Sequence, residues 1–176
     1  GVVSMMALCV AVWGVAGSPA VALAGVVVLT FSRAFTDFST SGLENPLTHL
    51  LLAVFLVIYL RRQWTPRVLF LLTLVASLIA LNRMDLALLV APAVAYVWLS
   101  LRNVRATAAL VLGGVPVALW MLFSLAYYGF PFPNTAYAKL GAGVVPGAMI
   151  RQSLNYFSHT LTKDPITLLV ITAGIA

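Results

Sequence analysis

The chain has 176 residues, 62% of them hydrophobic and only 8% charged, with a mean hydropathy of +1.07 and a formal net charge of +6. A soluble domain carries about 25% charged and about 45–50% apolar residues, so a water-soluble fold has no way to cover its surface here, and lipid is the solvent this composition suits. The single cysteine, Cys9, excludes an intramolecular disulfide framework and a cysteine metal cluster, and the basic residues sit at the ends of apolar segments, which speaks for orientation in a membrane and against nucleic acid.

Seven apolar segments follow one another, at 2–16, 21–31, 46–60, 68–81, 86–101, 106–127 and 166–176. All are rich in Leu, Val and Ala, none alternates like a strand, and short polar or Pro/Gly turns separate them. Each therefore reads as a helix, since only helices and closed barrels satisfy backbone groups in lipid. The expected fold is an all-α, polytopic transmembrane helix bundle over residues 1–176. No basic region precedes the first segment, which argues against a signal peptide. The last segment has 11 residues where a spanning helix needs about 20. The chain is thus expected to be a piece of a larger transmembrane domain, with its first and last helices truncated. Cys9, inside the first segment, reads as a small buried hydrophobe.

Charge sets the expected orientation. The turn after the third segment carries Arg61, Arg62 and Arg67, the turn after the fifth carries Arg102 and Arg105, and neither holds an acid. By the positive-inside rule both face the cytoplasm. Alternation then puts the connections 35–45, 82–85 and 128–165 outside. All four acids, Asp37, Glu44, Asp85 and Asp164, fall in or beside those outer connections, and so do His49 and His159.

Helix length adds a further expectation. Segments 68–81 and 86–101 reach roughly 21 and 24 Å, against a hydrocarbon core about 30 Å thick. Their turn, Asn82-Arg83-Met84-Asp85, would lie below the outer headgroups unless the helices extend. An Arg and an Asp at that depth face a polar cavity or each other, and intramembrane ionisable residues are functional candidates.

The first outer connection gathers Ser39, Thr40, Ser41, Glu44 and Asn45 at a helix start. Hydroxyls, a carboxylate and an amide are what a sugar's hydroxyls require. A structural account is equally complete, because Pro46 suits a first turn and Glu44 suits the positive end of the helix dipole. The large outer connection opens Tyr127-Tyr128-Gly129-Phe130-Pro131-Phe132-Pro133-Asn134-Thr135-Ala136-Tyr137-Ala138-Lys139. It reads either as an aromatic interface belt or as aromatics lying along a lipid chain, with Lys139 on its phosphate. Beyond it, Met149, Leu154, Phe157 and Leu161 recur at roughly helical spacing, which predicts a helix in the outer interface with Arg151 and Lys163 at the headgroups. His49 and His159 have no partner at metal-ligand spacing, so no metal site is expected from them.

Three stretches, T-S-G-L-E-N-P-L at 40–47, N-R-M-D at 82–85 and Y-Y-G-F-P-F-P-N-T-A-Y-A-K-L-G at 127–141, occur in that order. Together they resemble the membrane glycosyltransferases of the C-type fold, which take a sugar from a polyprenyl-phosphate donor on the outer side of the membrane. Within that fold the chain is most similar to the terminal β-(1→2) arabinofuranosyltransferases of actinobacterial cell walls. The resemblance runs from about Thr30 to Gly141, and its second motif departs from the wider family, where proline stands at the place of Met84. It implies transfer of arabinofuranose from decaprenylphosphoryl arabinose to cell-wall arabinan, with membrane lipid, the donor and a polysaccharide acceptor as partners. It implies no cofactor and leaves a divalent cation open. Relatives carry an essential acidic pair in the first outer loop. No Asp-Asp pair occurs here, so the catalytic base is expected upstream of Gly1, with Asp37 a weaker substitute, and this chain alone is expected to be inactive. Arg83 and Lys139 are the candidates for holding the departing phosphate. Ser41, Glu44, Asn45 and Asp85 are the candidates for the sugar hydroxyls, and Asn134 and Tyr137 for lining the donor site. A transporter or flippase for a lipid-linked substrate would use the same outer cavity, but it calls for polar residues in the cytoplasmic half of the spans, and almost none are present. A purely structural membrane subunit is the third reading.

Overall fold

The computed structural model describes residues 2–16, 18–32, 35, 37, 45–60, 63–130, 146–163, 165, 169 and 172. Among them every element is helical: α1 (Val2–Val15), α2 (Pro19–Phe31), α3 (Asn45–Tyr59), α4 (Pro66–Asn82), a single 3-10 turn (Met84–Leu86), α5 (Ala87–Leu101), α6 (Val104–Tyr128) and α7 (Pro146–Lys163). The first six apolar segments thus appear as helices in the expected order. The seventh lies outside the described residues except at 169 and 172.

Local chemistry places the boundaries. Ser18, Thr65 and Asn103 cap α2, α4 and α6, each side-chain oxygen accepting from the backbone N–H three residues on, at 3.3, 3.3 and 2.8 Å. Pro19 and Pro66 follow their caps in the first turn, where a missing N–H costs nothing. Gly129 ends α6 in the left-handed region at φ 79°, where only glycine sits without a Cβ penalty. The capped starts of α4 and α6 lie outward of their apolar runs and take in Arg67 and Arg105. As a result α4 is 17 residues long, roughly 26 Å, and the span Met84–Leu101 is 18, roughly 27 Å. Both exceed the apolar runs of the sequence, 68–81 and 86–101.

Helix α4 is the centre of the molecule, packed by α3, α5 and α6, while α1 packs on α2 and α3. Its fully buried Leu69, Leu72 and Ile79 form one helical face and join Phe55, Val90, Val97 and Ala106 in the core. The α4–α6 contact is close because α6 presents small residues there: Ala106, Ala109 and Gly113 are buried. A Cβ on Gly113 would lie 2.7 Å from Thr73 Cβ and 2.8 Å from the Phe70 carbonyl oxygen. Ser77 Oγ donates across the same contact to the Gly113 carbonyl at 2.8 Å.

Short connections make α3, α4, α5 and α6 successively antiparallel. One end of this unit carries Asn45, the Arg83–Asp85 turn and Tyr128; the other carries Tyr59, Trp64, Arg67, Arg102 and Arg105. Each end has an aromatic cluster. At the basic end Trp64 stacks near Tyr59 at 6.1 Å and meets Tyr96 edge-on at 5.3 Å. At the opposite end Tyr127 stacks on Phe123 at 5.5 Å and meets Tyr128 edge-on at 4.8 Å. Among the described residues two helical stretches, Met84–Leu101 and Val104–Tyr128, are long and apolar enough to cross a membrane.

Candidate site around Arg83

The first residue after α4, Arg83, leaves helical geometry for an extended backbone, and its N–H closes α4 by donating to the Ile79 carbonyl at 2.7 Å. The Arg83 carbonyl then accepts from Leu86 at 3.2 Å, which closes the 3-10 turn. This tight turn swings Asp85 beside Arg83. Arg83 Nε donates to Asp85 Oδ1 at 3.4 Å and Nη2 to Oδ2 at 3.0 Å, a two-pronged pairing of fork and carboxylate. Of the two arrangements the sequence allowed, a polar cavity or mutual pairing, the pairing is what the turn forms.

The third edge of the guanidinium is held from another helix. Arg83 Nη1 donates to Asn45 Oδ1 at 3.1 Å. Asn45 is the first residue of α3 and is buried. A buried amide oxygen needs a donor, and Arg83 supplies one. Asn45 therefore acts on Arg83 and helps to fix the direction of the fork. One turn further, Asn82 Nδ2 donates to Thr48 Oγ1 at 2.7 Å, a second tie between the same two helices. Asn82 and Thr48 were not among the candidates. Asn82 did stand within the second motif, and Thr48 lies three residues after Asn45, hence on the same helical face.

Three of the candidates thus come together: Asn45, Arg83 and Asp85. Arg83 and Asp85 stay open to the exterior, with side chains 37% and 64% exposed. Ser41, Glu44, Asn134, Tyr137 and Lys139 lie outside the described residues. The stretch that leads toward the last three begins at this same end, where Ser124 Oγ donates to the Phe130 carbonyl at 2.8 Å and turns the chain back over α6. Nearby, His49 of α3 packs its ring against Phe35 at 4.9 Å.

Helix α7 covers the predicted interfacial run. Met149, Leu154, Phe157 and Leu161 are all exposed on it, as are Arg151 and Lys163. Among the described residues no three His, Cys, Asp or Glu side chains gather where they would hold a metal ion. Chemically, the site offers one held, solvent-reachable guanidinium beside an exposed carboxylate, which suits an anion carrying hydroxyls.

No protein-family model, no curated protein and no solved structure matches the chain.

Proposed function

We propose that the chain is a multi-pass membrane protein of the C-type glycosyltransferase fold and forms the donor-binding part of an enzyme that transfers arabinofuranose from decaprenylphosphoryl arabinose to cell-wall arabinan at the outer face. The membrane part of this reading is supported by the exposure of large apolar side chains along the helices. Leu88, Leu89, Val111, Leu112, Leu119, Leu122 and Phe123 are each more than half exposed, whereas soluble monomers rarely show contiguous apolar patches beyond a few hundred Å². The aromatic clusters at both ends fit two interfacial belts, and the arginine-rich end fits the cytoplasmic side.

The observation that carries the enzymatic part is the grip on Arg83. Asn45 from the first motif and Asp85 from the second hold one guanidinium at the non-basic end, the end to which α6 delivers the third motif. A polyprenyl phosphate leaves as a phosphate monoester, and a guanidinium fork matches its oxygens in two-pronged fashion. In this scheme the donor phosphate replaces Asp85 on the fork. Asp85, thereby released, turns to the sugar hydroxyls together with Glu44 and Ser41. Lys139 adds a second cation to the phosphate, and Asn134 and Tyr137 line the donor site.

The test is Arg83→Ala in membranes carrying the active enzyme, read as donor affinity in an arabinosyl transfer assay. Loss of charge-assisted bonds worth about 1.5–3 kcal/mol corresponds to weakening by about ten- to a hundredfold. Unchanged donor affinity removes Arg83, and with it this reading of the site.

A further inference from the structure

An open apolar groove lies at the opposite end from Arg83. It has a volume of about 980 Å³ and lies between the end of α5 and the first three turns of α6, lined among others by Trp98, Arg102, Val104, Thr107, Val111 and Leu112. Trp98 Nε1 donates to Thr107 Oγ1 at 3.2 Å, which ties α5 to α6 beside the groove and satisfies the polar atom of the indole. What remains open is apolar. Val104, Val111 and Leu112 are 86%, 63% and 60% exposed. From Val104 to Leu112 the groove runs roughly 12 Å along α6, close to the half-thickness of a hydrocarbon core of about 30 Å.

The mouth of the groove is cationic. Arg102 lines it, and Arg67 and Arg105 are exposed at the same end. Neither connection at this end contains an acid. Arg102 also occupies a backbone position that a side chain disfavours. It caps α5 at φ 40°, ψ 46°, in the left-handed region where glycine is the usual residue. A Cβ there costs on the order of 1 kcal/mol, and an arginine that serves only to end the helix gains nothing over glycine in backbone terms.

We propose that this groove is a binding site for an anionic phospholipid of the cytoplasmic leaflet. The phosphate lies at Arg102, and an acyl chain runs along Thr107, Val111 and Leu112 over the face of Trp98. The dimensions fit one chain, the charge at the mouth fits one headgroup, and basic pockets between helices on the cytoplasmic side are a known setting for such lipids. The site lies away from the Arg83 site and does not depend on the sugar chemistry, only on the chain crossing a bilayer.

The experiment uses the chain with Trp98 as its single tryptophan (Trp13, Trp64 and Trp120 each →Phe), reconstituted in vesicles that contain brominated lipid. Insertion is read from quenching by brominated phosphatidylcholine. The site is read from extra quenching when the same fraction of brominated lipid is phosphatidylglycerol, expected at twofold or more and lost in Arg102→Gly. That variant removes the cation and relaxes the backbone, so misfolding does not explain its loss of preference, and its unfolding temperature in phosphatidylcholine should equal or exceed that of the parent. Equal quenching by the two lipids shows an ordinary lipid-facing surface and overturns the proposal. So does a preference for phosphatidylglycerol that persists in Arg102→Gly. Absence of quenching by either lipid overturns the membrane placement as well.

Discussion

At Arg83 stability and function separate, because Asn45 and Asp85, which both hold the guanidinium, differ in burial. Asn45 is 8% exposed and its amide oxygen takes a charged donor. Asn45→Ala leaves Arg83 without that partner and should cost about 1.5 kcal/mol, read as earlier unfolding in detergent, and it should also weaken donor binding by loosening the fork. The pair with Asp85 is different. With side chains 37% and 64% exposed, it is screened by solvent and contributes under about 1 kcal/mol. Asp85→Asn should therefore leave the unfolding midpoint nearly unchanged. In the proposed scheme it also removes the phosphate's competitor at Arg83 while losing a group that orients the sugar. Donor binding should be equal or tighter, and the transfer rate should fall tenfold or more, about 1.4 kcal/mol in barrier. A variant with unaltered transfer rate would make the Arg83–Asp85 pair a surface ornament of the turn.

The contact between α4 and α6 is set by a single missing side chain. At Gly113 an added Cβ meets the Phe70 carbonyl oxygen at 2.8 Å and the Leu74 nitrogen at 3.0 Å, backbone atoms that cannot rotate away. Gly113→Ala must push the helices apart, weaken the Ser77 hydrogen bond to the Gly113 carbonyl and cost about 1–3 kcal/mol, as overpacking generally does. Its neighbour provides the control. A Cβ on Gly114 meets nothing within 4 Å, so Gly114→Ala should stabilise by about 0.5–1 kcal/mol through the lower backbone entropy of alanine. Chemical or thermal unfolding of the two variants, side by side, should move in opposite directions. The stripe Ala106, Ala109 and Gly113 lies at i, i+3 and i+7, which is the spacing of one helical face.

For the molecule as a whole, the proposed placement in a bilayer assigns the two ends to different compartments. Arg67, Arg102 and Arg105 lie at one end, and Arg83 with Asp85 marks the other. A cysteine introduced by Gln63→Cys should be shielded from a membrane-impermeant maleimide in intact cells and react after permeabilisation. Tyr128→Cys, at an exposed position on the far end, should react in intact cells. Cys9 is replaced by serine in both. The same labelling of both sites, or of neither, would contradict alternating spans. Extraction of the protein by alkaline carbonate would contradict insertion altogether.

Helix formation and helix order were legible in the linear chain because both are local matters. Long Leu, Val and Ala runs favour backbone hydrogen bonds satisfied within the segment, and Thr65-Pro66, Asn103 and Gly129 are short-range stop and start signals. Hydropathy misjudged the helix ends by a few residues, since Arg67 and Arg105 are polar but their backbones sit inside capped helices. Asn45, Arg83 and Asp85 could each be singled out as polar groups in an apolar chain, and the local turn alone suffices to pair Arg83 with Asp85. The tie from Asn45 to Arg83 across 38 residues, and that from Thr48 to Asn82 across 34, could not be read that way. A helix apolar on nearly every face carries no amphipathic stripe to say which side meets which neighbour. That choice falls to shape, through the gap at Gly113 that lets α6 close on α4 and the buried face of Leu69, Leu72 and Ile79 that seats the other helices. The positions of the polar groups follow from that packing.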